Sequence, residues 1–444
     1  QYYKWQTIIK TKNRVLIMAR KVFISFLGSN NYLETYYSLE DEKSKRPVRF
    51  IQEDLVKRLC NEWTKDDRIL IFCTDDSKTK NWLNDGHGDE KLEGLEYRLK
   101  SLKLPIQIEM TEISEGFSEE EIWSIFNSVY GKLQEEDEIY FDVTHSFRSI
   151  PLFSTILFNY AHYLKRTNLV GVYYGAFEKL GPAYMVRHIP VEERIAPIID
   201  LTSIVRLQEL TAAANNLHQY GKMSTLSDLI SVVEGKGKVK QDVSCIKNKM
   251  KEFDLAISTC KLDVIKEGKL ICALQERVKA LKDTPALSHA HRELIAKVEN
   301  EINVFKPIDT YENVEAAIDW ARKYGMIQQA YTLAEELTIS KVKDLLLPKY
   351  EILRTEGNTE CRTFISNLLS MDTKLREYRN EKEALRNLFY QLLPLPIIID
   401  LRPYYKELAD NRNVINHAKK INKNLVKEFD KNYDKIKGIL SDVH

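Results

Sequence analysis

The chain has 444 residues, 43% of them hydrophobic, with only 16 Gly and 12 Pro. That is enough for two or three domains with cores of their own, and it leaves little room for disorder or low-complexity linkers. Its 66 Lys and Arg against 65 Asp and Glu give a net charge of +1, so no global field marks a nucleic-acid binder and any such contact must be local.

The cysteines Cys60, Cys73, Cys245, Cys260, Cys272 and Cys361 are scattered, without a Cys-x-x-Cys pair or zinc-ligand spacing. Scattered thiols fit a reducing, cytoplasmic setting and predict no metal centre. No apolar run approaches the ~20 residues that span a bilayer, so no membrane partner is expected.

Residues 1–17 are basic and aromatic but lack the apolar core of a signal peptide, and read as an extension before a domain opening at Met18. Five short apolar runs then read as buried strands: 22–27, 69–73, 106–110, 139–143 and 169–174. Helical spacing of apolar residues lies between them at 50–60, 90–102, 119–133 and 151–164, and alternation at 32–39 predicts a hairpin arm. Strands alternating with helices predict a doubly wound, mostly parallel α/β sheet across residues 18–195. From Asp200 to His444 the apolar period is helical, which predicts an all-α second domain with a boundary near residues 190–205.

Ligands of such sheets settle beyond the carboxyl ends of the strands. Small polar residues follow each strand there: Gly28, Ser29 and Asn30 after the first, Thr74 and Asp75 after the second, and Thr144, His145, Ser146 and Arg148 after the fourth. The last group leads into a helix with Pro151 near its first turn, so a helix N-terminus and Arg148 suit a phosphate-bearing ligand. The same hydroxyls would serve equally as helix caps. No Gly-x-Gly-x-x-Gly or Gly-Lys-Ser/Thr sequence follows a strand, so neither a dinucleotide fingerprint nor a triphosphate loop is present. Asp142, His145 and Ser146 lie too close along one strand end to form a relay. His289, His291 and Glu293 lack a third-ligand signal and read as surface.

Near the end, Arg412-Asn413 is followed by His417. A permanent cation and a group titrating near neutrality can stabilise a phosphorane and move protons. Ile415, Ala418, Ile421, Leu425 and Phe429 recur at helical spacing and predict one amphipathic helix through this stretch. At about 100° per residue, Asn413 and His417 share its polar face and Arg412 lies on the flank. Taken alone, such a pair is also what a solvated helix face carries.

Phe141-Asp142-Val143-Thr144-His145-Ser146-Phe147-Arg148-Ser149-Ile150-Pro151 resembles the sensor domain called CARF, a Rossmann-like fold of CRISPR-associated proteins, and Arg412-Asn413-x-x-x-His417 resembles the motif of HEPN ribonucleases. Stretches 23–28, 197–202 and 325–331 agree, and the two motifs in this order resemble the accessory ribonucleases of type III CRISPR systems. The resemblance implies a CARF domain over 18–195 and a helical connector with a HEPN domain over 196–444. It implies a homodimer, activated by a cyclic oligoadenylate (tetra-adenylate favoured over hexa-adenylate) bound by Gly28, Ser29, Asn30, Thr144, His145, Ser146 and Arg148. Thr74 and Asp75 join this set by their place at a strand end. Arg412, Asn413 and His417 would then cut single-stranded RNA without metal or other cofactor, from both subunits together, leaving a 2',3'-cyclic phosphate. Slow cleavage of the bound activator is a further expectation, and no stable association with the CRISPR effector complex is expected. The competing readings are a ligand-gated regulator with a helical partner- or DNA-binding domain, and a small-molecule α/β enzyme.

Overall fold

The computed structural model describes residues 19–88, 91–145, 150–226, 238–283, 287–371, 377–379, 382–418 and 424–441. The expected N-terminal extension 1–17 lies outside them, as do Ser146 and Arg148. The chain divides into two compact units, Gln1–Arg206 and Leu207–His444.

The five expected strands are present as β1 (Lys21–Leu27), β4 (Arg68–Cys73), β5 (Gln107–Glu112), β6 (Glu138–Asp142) and β7 (Asn168–Gly175), and all pair in parallel. The expected hairpin arm is shorter: β2 (Tyr36–Leu39) pairs antiparallel with β3 (Glu42–Lys43). Glu40 and Asp41 join them with φ of 49° and 67°, the left-handed pair that a two-residue hairpin turn demands. An eighth strand, β8 (Ile195–Asp200), pairs parallel to β2 and antiparallel to β7. The described sheet runs β3-β2-β8-β7-β6-β1-β4-β5.

β8 is a strand the sequence reading did not include, and it ends at Asp200, where the helical period begins. Pro197 breaks an otherwise strand-like run, yet it keeps its place because only its carbonyl is needed: Ala176 N donates to Pro197 O at 2.9 Å. The unit boundary accordingly falls at 206/207, inside the helix Thr202–Tyr220.

Both faces of the sheet are covered, which is why its central strands are apolar at nearly every position. Phe23, Leu27, Ile69 and Ile71 pack with Leu55 and Val56 of α1 (Ile51–Leu59) and Leu95 and Leu99 of α2 (Leu95–Ser101). The alternate residues Val22, Ile24, Phe26 and Leu70 pack with Ile125 and Val129 of α3 (Glu119–Lys132) and Leu157 and Ala161 of α4 (Ile150–Lys165).

Every regular element described in the second unit is helical. Three of these helices matter below: α5 (Ile327–Leu346), α6 (Asn358–Ser370) and α7 (Pro396–Asn416), which pack through Leu333, Leu337, Ile365, Leu368, Leu401 and Leu408. The single helix expected through Arg412 and Phe429 is two. α7 ends at Asn416, Ala418 takes a left-handed φ of 48°, and α8 (Leu425–Ser441) restarts with Asn424 Oδ1 accepting from Lys427 N at 3.3 Å. Ile415 and Phe429 therefore lie on different helices and do not share one helical face, and Ile421 lies outside the described residues. Among the described residues, no helix is long and apolar enough to cross a membrane.

Candidate functional site

The first unit's crevice follows from strand order. The chain leaves β1 toward β4 and β5, then returns to β1's other side with β6 and β7. The carboxyl ends of β1 and β6 therefore flank the point where the order reverses, the place where such sheets open for ligands. Gly28, Ser29 and Asn30 follow β1 there, and Thr144 and His145 follow β6.

Under this crevice lies a buried polar chain. Asp142 has no exposed surface, and burial raises its carboxyl above the usual range against the hydrogen bonds it accepts. It accepts from Ser25 Oγ at 2.7 Å, Thr144 N at 3.0 Å and Thr144 Oγ1 at 2.6 Å. Gln52 Nε2 donates to Ser25 Oγ at 3.0 Å, and Gly175 N donates to Thr144 Oγ1 at 2.9 Å. The Thr144 hydroxyl is thus already committed as donor and acceptor, so it ties β6 to β7 and is not free for a ligand in this state.

His145 differs. Its ring lies against Tyr32, centroids 4.2 Å apart, and its Nε2 is buried without a hydrogen-bond partner among the described residues. Burial pushes its pKa down to about 4, so the ring is neutral near pH 7. Gly28 is a close-approach position: a Cβ there would fall 2.2 Å from Tyr32 Oη. Asn81, fully buried, donates to Gly28 O at 2.7 Å and Asn30 O at 2.9 Å, and so shapes the β1 loop from below. Thr74 is buried and caps the turn Asp75–Ser77, accepting from Ser77 N at 3.3 Å, whereas Asp75 is exposed. Tyr32, Asn81 and Asp142 escaped the sequence-derived set. Asp142 had been considered only as a relay member, and the other two belong to no strand end.

In the second unit Arg412 and Asn413 lie in the last turn of α7, and His417 is its C-cap. Arg412 Nη1 donates to Asn413 Oδ1 at 3.2 Å. Arg412 Nε lies 2.9 Å from Glu335 Oε2 on α5, an ion pair whose N–H is not aligned as a hydrogen bond. Glu335 is 7% exposed, and burial raises its carboxyl while the Arg412 charge acts the other way. Tyr405 Oη, one face of α7 further back, donates to Glu335 Oε1 at 3.4 Å and shares a hydrogen bond with Ser366 Oγ at 3.1 Å. His417 is exposed, its backbone N bonded to Asn413 O at 3.1 Å. The structure therefore brings Arg412 and Asn413 together and leaves His417 presented at the helix end. It adds Glu335, whose only sequence signal is a carboxylate on a buried helix face.

The other histidine group does not converge. His291 is buried and hydrogen-bonded to Ser288 Oγ at 2.7 Å, while His289 is exposed beside Glu293.

Comparison with known proteins bears on the first unit. Residues 22–178 match the family model described as the CARF domain of the CRISPR system endoribonuclease Csx1. The chain is also similar to the CRISPR-associated protein MJ1674 of Methanocaldococcus jannaschii, 30% identical over 157 residues, or 34% of this chain and 23% of that protein. The match thus spans about a quarter of that relative's length. A solved structure, Enterococcus italicus Csm6 bound to cyclic hexa-2'-fluoro-hexa-dAMP, covers 96% of this chain and 94% of its own, at 13% identity and a TM-score of 0.46. The match to the CARF model and the similarity to a CRISPR-associated protein thus fall on the part of the chain that forms the mostly parallel sheet, and residues 22–178 are similar to a CARF domain.

Proposed function

We propose that the protein is an endoribonuclease of the HEPN type that cuts single-stranded RNA when a cyclic oligoadenylate occupies its CARF crevice. The observation that carries this reading is Arg412, fixed beside Glu335 and Asn413 with His417 exposed at the end of the same helix, in a chain whose other unit is similar to a CARF domain. The matched family is named for an endoribonuclease, which supports the same reading.

The chemistry follows from the side chains. The ribose 2'-hydroxyl attacks the adjacent phosphorus, the 5'-oxygen leaves, and a 2',3'-cyclic phosphate remains. His417 takes or gives the proton, and Arg412 stabilises the charge that develops on the phosphorane oxygens. Asn413 holds the guanidinium in place. One chain supplies one His417 for two proton transfers, so the complete site needs a second copy related by a two-fold axis. The first unit's ligand is a cyclic oligoadenylate, tetra-adenylate before hexa-adenylate, contacting Gly28, Ser29, Asn30 and His145, with Ser146 and Arg148 on the same loop. No metal is required, because the cation and the proton carrier are both side chains.

The test is product chemistry. Activated protein should turn single-stranded RNA into fragments ending in 2',3'-cyclic phosphate and 5'-hydroxyl, and should leave RNA with a 2'-deoxy scissile nucleotide intact at that bond. Cleavage of that bond, or loss of activity with a chelator, contradicts the reading.

A further inference from the structure

Glu335 in the second unit is a buried carboxylate, 7% exposed. Removing a carboxylate from water is costly unless it is paired, so its partners indicate what it is for. Both oxygens are held by α7. Tyr405 Oη donates to Oε1 at 3.4 Å and Arg412 Nε faces Oε2 at 2.9 Å. Tyr405 and Arg412 are seven residues apart, two turns of one helix, and so project on the same side.

The grip is itself braced. Tyr405 is fully buried, and its hydroxyl is fixed by Ser366 Oγ of α6 at 3.1 Å. The neighbouring carboxylate, Glu336, is occupied by Arg362, so it does not compete for Arg412. The guanidinium then has two neighbours: Glu335 Oε2, an ion pair 2.9 Å from Nε whose N–H is not aligned as a hydrogen bond, and Asn413 Oδ1, which accepts from Nη1 at 3.2 Å. An arginine that only solvated a helix end would need none of this.

We infer that Glu335 is the positioning residue for Arg412. It fixes the orientation of the guanidinium before RNA arrives. This rests on the ribonuclease reading above. Held in advance, the cation loses little rotamer freedom in the transition state, which is where preorganised charge acts. Glu335 itself touches no reacting atom.

The experiment is steady-state cleavage of single-stranded RNA, with saturating cyclic tetra- or hexa-adenylate, by wild type, Glu335→Gln and Glu335→Asp. The neutral isostere should lower kcat on the order of 10- to 100-fold while KM for RNA stays within about two-fold, since displacing a catalytic group by ~1 Å costs rate of that size. Glu335→Asp keeps the charge but retracts it, and should fall between the two. A Glu335→Gln protein that melts cooperatively like wild type and keeps wild-type kcat overturns the inference and leaves the ribonuclease reading standing. If Glu335→Gln does not fold, Glu335→Asp decides, and an unchanged kcat there overturns it equally. A wild-type protein that cuts no RNA with either activator overturns both readings together.

Discussion

Tyr32 and His145 lie ring against ring, centroids 4.2 Å apart, at the point where the β1 and β6 loops meet. Gly28 lies beside this stack, where a Cβ would fall 2.2 Å from Tyr32 Oη and 3.5 Å from His145 Cβ. Gly28→Ala should therefore displace Tyr32 and, with it, His145. The expected result is a weaker complex with cyclic tetra-adenylate, by roughly tenfold or more given an overpacking cost of about 1–3 kcal/mol. Calorimetric titration checks this, and an unchanged affinity would show that the ligand ignores this corner of the crevice.

His145 also makes the first unit sensitive to acid. Its pKa falls from 6.5 to about 4 on folding, because burial disfavours the cation. The unfolded chain binds that proton first, so stability from this group is intact above pH 6.5 and declines as pH falls toward about 4. His145→Asn removes the titration. Between pH 7 and pH 5 the melting temperature of wild type should fall by more than that of the variant, and parallel declines would contradict the assignment.

Removing Arg412 should destabilise the second unit as well as silence it. Arg412→Ala leaves Glu335 buried without its cation, a loss on the order of 2–3 kcal/mol once partial exposure of the pair and protonation of the carboxyl are allowed for. Burial raises the Glu335 pKa, so the folded state binds that proton more tightly than the unfolded chain does. Its favourable contribution is complete below about pH 4.5 and is lost as pH rises through the raised value. The Arg412→Ala deficit should accordingly shrink toward acid pH. Adding Glu335→Gln should recover most of it near neutrality, as denaturant unfolding can measure. Strictly additive losses would mean that the two residues do not interact.

The native thiols should divide by burial. Cys73 has no exposed surface and its pKa is pushed up to about 12, Cys60 is likewise buried and raised, and Cys260 rises to about 11. Brief alkylation of folded protein at pH 8 should spare Cys60 and Cys73, with all thiols reacting after denaturation. Peptide mass spectrometry reads the pattern, and rapid labelling of Cys73 in the folded state would contradict the described core.

The parallel strands were readable because residues such as Val22-Phe23-Ile24 and Ile69-Leu70-Ile71 are buried on both faces and leave an unbroken apolar run. The crevice loops followed from their strand ends. β8 was not readable, because Pro197 carries a breaker signal that only the neighbouring Ala176 resolves. The break after Asn416 was hidden by apolar residues that happen to keep helical spacing on both sides of it. Glu335 was invisible for a different reason: a carboxylate on a helix declares itself buried only once its cation, 77 residues later in the chain, is seen beside it. Nor could the sequence show that the Thr144 hydroxyl bonds to Asp142 and Gly175.

His417 is the sharpest test of the chemistry because it is exposed, bonds to its surroundings through its backbone, and can be removed with little effect on the fold. The decisive measurement is cleavage of labelled single-stranded RNA by wild type and His417→Ala, each with and without cyclic tetra-adenylate or hexa-adenylate. Wild type should cut only when an activator is present, and His417→Ala should lose at least about 100-fold in rate while melting within a degree or two of wild type. RNA cut equally by the variant, or by wild type regardless of activator, would contradict an Arg412–His417 ribonuclease governed by the CARF domain.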